Sequence, residues 1–260
     1  MGLIKYWQEA LAVARRILLE LCRRQRSLFL WVMFPVFVLL LNGYILADQP
    51  QATVKEAFEA AAPMTLVGAA LFFSCLGGTV ATVVSEREQQ TLKRLFLTPL
   101  SGLSYFFGIF LAHSCIGIGQ TLLVYTSAAF LQARFNGSLW LGGLIVLLSI
   151  IAYVGLGFTL GTQIARRIED VNALVAAFGV PLLMLGGAFV PLSFLPTPLR
   201  EIAKYNPVYH MNEALTRVSA AGEGIEAIAP NLYFLIGFAL LMVISSGFAY
   251  RQMLTLERRL

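Results

Sequence analysis

Six stretches, residues 28–47, 63–84, 103–131, 139–164, 173–190 and 232–249, contain no Asp, Glu, Lys or Arg and are apolar along nearly their whole length. A helix rises 1.5 Å per residue, so about 20 such residues cross the roughly 30 Å of a bilayer's hydrocarbon. The pattern therefore predicts an all-α polytopic membrane protein with six transmembrane helices, the fifth interrupted at Pro181 and Gly186–Gly187. Porin-like strands would alternate apolar with polar residues, and these runs do not. With 58% hydrophobic and only 13% charged residues, a soluble 260-residue fold is equally excluded.

The charges between the blocks set an orientation. Lys5, Arg15, Arg16, Arg23, Arg24 and Arg26 precede the first, Arg87, Lys93 and Arg94 follow the second, Arg166 and Arg167 follow the fourth, and Arg251, Arg258 and Arg259 follow the last. Fourteen of nineteen basic residues thus share one side, which the positive-inside tendency makes cytoplasmic, with both termini there. The opposite side receives "DQPQATVKEAFEA", "QARFNGS" and the segment from 191 to 231, with Asp48, Glu56 and Glu59 among its acids. The net charge of +5 then reads as membrane orientation and not as nucleic-acid binding. The first apolar block begins behind more than twenty charged and mixed residues, so no cleavable signal peptide is expected. Cys22, Cys75 and Cys115 are scattered and suggest neither a disulfide framework nor a metal site.

Residues 1–26 form a separate unit ahead of a membrane domain spanning 27–260. Trp7, Leu11, Ala14, Leu18 and Leu21 recur at steps of four and three, which puts them on one helix face, while Lys5, Glu9, Arg16, Glu20 and Arg23 occupy the other. Such a helix lies in the bilayer interface, wraps against the ends of the spans, or extends the first span into the cytosol.

Inside the spans, Gly157 and Gly161 make a small-xxx-small step, a packing signal without a named partner. His113, Ser114 and Gln120 are the best polar cluster; His113 either touches a substrate or hydrogen-bonds a neighbouring helix. No intramembrane carboxylate suited to proton or sodium coupling is present, so energy for any transport must arrive from outside the membrane.

One polar island, "SEREQQTLKRLFLTP" at 85–99, separates the second and third blocks. Ser85 with Glu88 three positions on has the spacing of a capping box, and Leu92, Leu95 and Phe96 form an apolar patch beside Lys93 and Arg94, ended by Pro99 and Gly102. A short helix of that kind fits a groove on a cytosolic protein. "ERE" at 86–88, "TL" at 91–92, Leu95 and "TP" at 98–99 resemble the pattern of an ABC-2 type transporter permease, as do "GGAFVPLSFLP" at 186–196 and "YNPVYHMNEALTR" at 205–217.

The resemblance implies a permease subunit of an ATP-driven exporter in the bacterial inner membrane. It would pair with a second permease copy or paralogue and with two cytosolic ATPase subunits that hold ATP and Mg2+. No Gly-rich loop followed by Lys and Ser/Thr occurs here, and "GLGFTLG" at 155–161 lacks the lysine. By the same resemblance, residues 4–24 are similar to a connecting helix and about 86–98 to the coupling helix, with Glu86, Arg87, Glu88, Thr91, Leu92, Leu95, Phe96 and Pro99 facing the ATPase. Arg166 and Arg167 in "RRIED" belong to the second cytoplasmic connection, and about 191–230 to short extracellular or re-entrant helices. The first, second and fifth spans would line the subunit interface and substrate path. Candidates for that path are Phe34, Phe37, Phe72, His113, Tyr125 and His210, the last being either a polar substrate contact or a hydrogen bond within the outer helices. The substrate implied is an amphiphile: a drug-like molecule, a lipid or a lipid-linked saccharide. A polysaccharide channel, or a membrane scaffold or cofactor-assembly subunit, is the alternative.

Overall fold

The computed structural model describes residues 2–50, 52–91 and 101–257, and among these every regular element is a helix. They run α1 Gly2–Arg23, α2 Gln25–Ala47, α3 Val54–Glu88, α4 Gly102–Phe130, α5 Leu139–Gln163, α6 Ile168–Leu185, α7 Thr197–Ala203, α8 Pro207–Ser219 and α9 Ile225–Glu257. Six of them, α2 to α6 and α9, are long and apolar enough to cross a membrane. The chain is a multi-pass membrane protein.

Several boundaries differ from the sequence reading. α3 begins at Val54, so Glu56 and Glu59 are helical and not part of an open loop. The reason is a capping box: the Thr53 hydroxyl accepts the Glu56 N–H at 3.3 Å while the Glu56 carboxylate accepts the Thr53 N–H at 3.1 Å. Ser85, expected to start a new helix with Glu88, instead lies in the last turn of α3. Its carbonyl accepts the Gln89 N–H at 3.0 Å, so helical bonding runs straight through it, and the chain turns away at Gln90, whose φ is 55°. α6 begins at Ile168, inside "RRIED", because the Asp170 carboxylate takes the N–H groups of Arg166 and Arg167, both at 2.9 Å. Pro181 does not break α6; the expected break falls at Gly186–Gly187, where Gly187 adopts a left-handed φ of 76°.

Where there is no hydrophobic drive between helices, close approach of backbones decides which ones pair. A Cβ on Gly157 would come within 2.6 Å of the Leu76 carbonyl oxygen, and one on Gly161 within 3.1 Å of Val83 Cβ. The small-residue step of α5 is therefore filled by α3, which is the most enclosed helix of the bundle. By contrast α2 and α6 leave most of their length uncovered. Two stretches, Leu66–Gly77 in α3 and Val175–Gly179 in α6, are wound with wide i→i+5 turns, and they meet: a Cβ on Gly179 would fall 2.4 Å from the Phe72 ring.

α1 takes the second of the three placements open to it and packs along the first turns of α4. The face it buries is Ala10, Val13, Ala14 and Ile17; Trp7 and Leu11 of the expected stripe point outward and are exposed. Contact size explains the rotation. At Gly108 a Cβ would lie 2.5 Å from Val13 Cβ, a separation that admits small and β-branched residues and rejects a tryptophan.

Candidate functional site

The last turn of α3 carries Glu86, Arg87 and Glu88, and each side chain is bonded to a different part of the chain itself. The Glu86 carboxylate is buried, with an 11% exposed side chain, and accepts from the Arg16 guanidinium of α1 and the Tyr105 hydroxyl of α4. Arg87 donates through Nη2 to the Thr162 carbonyl at 3.1 Å and through Nη1 to the Ala165 carbonyl at 3.2 Å, satisfying two orphan carbonyls at the end of α5. Glu88 accepts the Ile168 N–H at 3.3 Å, an orphan donor at the start of α6. Three consecutive residues thus fasten α1 with α4, then α5, then α6 to the foot of α3.

The foot of α4 is held from the same side. Ser101 is the N-cap, its hydroxyl accepting the Ser104 N–H at 3.1 Å. Glu9 of α1 accepts the Ser101 N–H at 3.0 Å and the Ser104 hydroxyl at 2.8 Å. These two donors hold the Glu9 carboxyl below the usual range. Glu9 and Arg16 are two helical turns apart, about 10 Å along the axis. One helix therefore grips both feet of the segment 92–100.

Of the sequence-predicted coupling residues, Glu86, Arg87 and Glu88 come together here, Glu86 buried, Arg87 half-buried and Glu88 exposed, each bonded to another part of the chain. Thr91 is half-buried beside them, and Arg166 and Arg167 are exposed at the neighbouring turn. Leu92, Leu95, Phe96 and Pro99 lie outside the described residues. Sequence reading missed Glu9 and Arg16 as members of the site, grouping them with a solvent- or headgroup-facing side. Their signal was the opposite charge at a seven-residue spacing.

The substrate-path candidates do not form one lining. Phe34 and Phe37 stand with Leu30, Trp31, Phe73 and Gln120 around a groove of about 610 Å³ on the uncovered side of α2 and α3, with Phe34 edge-on to Phe73 at 5.3 Å. Phe72 is buried behind it, edge-on to Tyr153 at 5.7 Å. His113 is also buried, its Nε2 3.1 Å from the Thr82 hydroxyl and its Nδ1 3.2 Å from the Ser74 carbonyl, the helix-to-helix bonding foreseen as one of its two roles. Tyr125 borders a second groove between α4 and α5. His210 lies in the cap made by α7 and α8, its Nε2 2.8 Å from the Lys204 carbonyl, its Nδ1 2.7 Å from Asn231 Oδ1 and its ring stacked 3.9 Å from Phe234. The same cap is bonded to the end of α6, Asn206 donating to the Leu182 carbonyl at 2.7 Å and Asn212 to the Gly187 carbonyl at 2.9 Å.

The model of the family described as ABC-2 type transporter matches residues 8–218. Similar proteins include a putative transport permease, ycf38, of Porphyra purpurea, 25% identical over 80% of this chain and 72% of that one. Another, YvfS of Bacillus subtilis, also called a putative transport permease, is 22% identical over 94% of this chain and 96% of its own. The inner membrane transport permease YhhJ of Escherichia coli is 28% identical over 65% of this chain and 44% of its own.

Proposed function

This chain belongs to the ABC-2 type transporter family, and from that premise we propose that it is the membrane-spanning permease subunit of an ATP-driven exporter for an amphiphile. It works in the bacterial inner membrane with both termini in the cytoplasm. A second permease copy or paralogue covers α2 and α6, and two cytosolic subunits hold the ATP and Mg2+. The observation that carries the reading is the double grip of α1. A partner pressing on the segment 92–100 pushes on two feet that are tied to α1 by Glu9 and Arg16, and the Glu86–Glu88 clasp passes the push to α5 and α6. A push delivered there acts on the helix ends as a unit, as a switch between inward- and outward-open states requires. The groove lined by Phe34, Phe37 and Phe73 has the apolar wall and size suited to an amphiphile and lies on the side left for a partner.

The test is reconstitution in proteoliposomes with the cognate ATPase. ATP turnover should rise with one lipophilic compound, and that compound should accumulate on the side opposite the ATPase. Leu92→Asp with Phe96→Asp should abolish both. A purified, transport-active complex without any nucleotide-hydrolysing subunit ends the proposal.

A further inference from the structure

A second, larger groove of about 1090 Å³ runs between α4 and α5 near the end remote from α1. Its walls are Leu122, Ala128, Ala129, Leu147 and Ile150, and its floor opens at Gly143, where a Cβ would meet nothing within 4 Å. Two side chains of another kind stand at the mouth. Trp140 is 89% exposed, and tryptophan settles at the headgroup level of a bilayer. Arg134 is exposed, and its guanidinium makes no ion pair among the described residues. Glu59, the carboxylate of the groove lining, is already committed to the Arg134 N–H and the Asn136 amide, both at 3.0 Å, and to Lys55 at 3.7 Å.

We propose that this groove binds a diacyl phospholipid of the adjacent leaflet, its phosphate on the Arg134 guanidinium and an acyl chain laid along α4 and α5. An apolar trough this long suits a flexible chain better than a compact ligand. Its single unmatched charge is a cation, whose planar fork pairs with phosphate. Arg134 stands in the connection between α4 and α5 and Trp140 in the first turn of α5, so both lie at the ends of the two spans along which the trough runs.

The test uses the full chain with any copurifying partners in nanodiscs, labelled with phosphatidylglycerol carrying a photoactivatable acyl chain and mapped by mass spectrometry. Label should concentrate between residues 118 and 150 over the exposed α9 face at Leu240, Leu241 and Ile244. Unlabelled phosphatidylglycerol should compete, and diacylglycerol, which has the chains without the phosphate, should not. Arg134→Glu should lower the labelling affinity about ten-fold or more. Gly143→Phe should fill the trough and remove the label with an unchanged melting temperature. Label spread equally over the α9 face, equal competition by diacylglycerol, insensitivity to Arg134→Glu, or a protein helix crosslinked into the groove would each overturn the proposal. If Gly143→Phe fails to fold, the Arg134 variant decides alone.

Discussion

Replacing Glu86 tests the clasp most directly. At contact distance a full ion pair in surroundings of effective dielectric about 20 is worth about 4 kcal/mol. The Arg16 side chain is 36% exposed against 11% for Glu86, so solvent screens much of this and about 1–2 kcal/mol remains. Glu86→Gln keeps the shape and an oxygen for the Tyr105 hydroxyl, and should lose only that electrostatic part. Glu86→Ala should lose about 1 kcal/mol more with the Tyr105 bond. The assay is a double-mutant cycle of Arg16→Gln and Glu86→Gln, with unfolding followed by Trp fluorescence in mixed micelles of increasing SDS. The cycle should return a coupling of about 1–2 kcal/mol, and in the reconstituted complex each single variant should leave ATP turnover intact while weakening its link to transport. A coupling below about 0.3 kcal/mol, the scatter expected of independent sites, would refute the reasoning.

Three further outcomes follow from particular contacts. Gly157→Leu should force α5 off the Leu76 carbonyl, costing at least about 1–3 kcal/mol and reducing the monodisperse fraction on size exclusion, whereas Gly119→Ala, which meets open space, should be neutral. The Glu9 carboxyl is held below its ordinary value of about 4.5, so its contribution is complete above that pH and lost as pH falls through the lower folded value. The protection factor of the Ser101 amide, its exchange rate relative to an unstructured amide at the same pH, should therefore fall in acid in the wild type and be low at neutral pH in Glu9→Ala. His210→Ala should loosen α7 and α8 from α9, lowering stability by about 2 kcal/mol through the lost bonds and ring stacking, with proteolysis at 197–206 as the readout.

The six spans were legible because a bilayer imposes one demand, a long charge-free run, that no distant residue can alter. The start of α3 was not. Glu56 and Glu59 look like loop acids, and Glu59 is buried only because Arg134 and Asn136, far along the chain, return to satisfy it. The Thr53-to-Glu56 spacing that caps α3 is the same spacing that misled at Ser85 and Glu88; the difference is that helical bonding already passes through Ser85. The clasp was half legible. The family resemblance drew attention to Glu86, Arg87 and Glu88 as residues facing an ATPase, and gave no sign of their bonds within the chain. Those bonds depend on carbonyls at Thr162 and Ala165 and on a guanidinium at Arg16, which only the packed bundle brings within reach. The face of α1 was misread because amphipathic counting favours the largest apolar side chains, whereas the close seat at Gly108 takes Ala10 and Val13.

The wide windings of α3 and α6 give the bundle a gear. Each takes more residues per turn than an ordinary α-helix, so lengthening or shortening it would turn the side chains beyond it about the helix axis while leaving the helix unbroken. Because Phe72 of one winding is seated against Gly179 of the other, neither can slip a tooth without the other yielding. The two rods are meshed at mid-height, well away from the fastened feet.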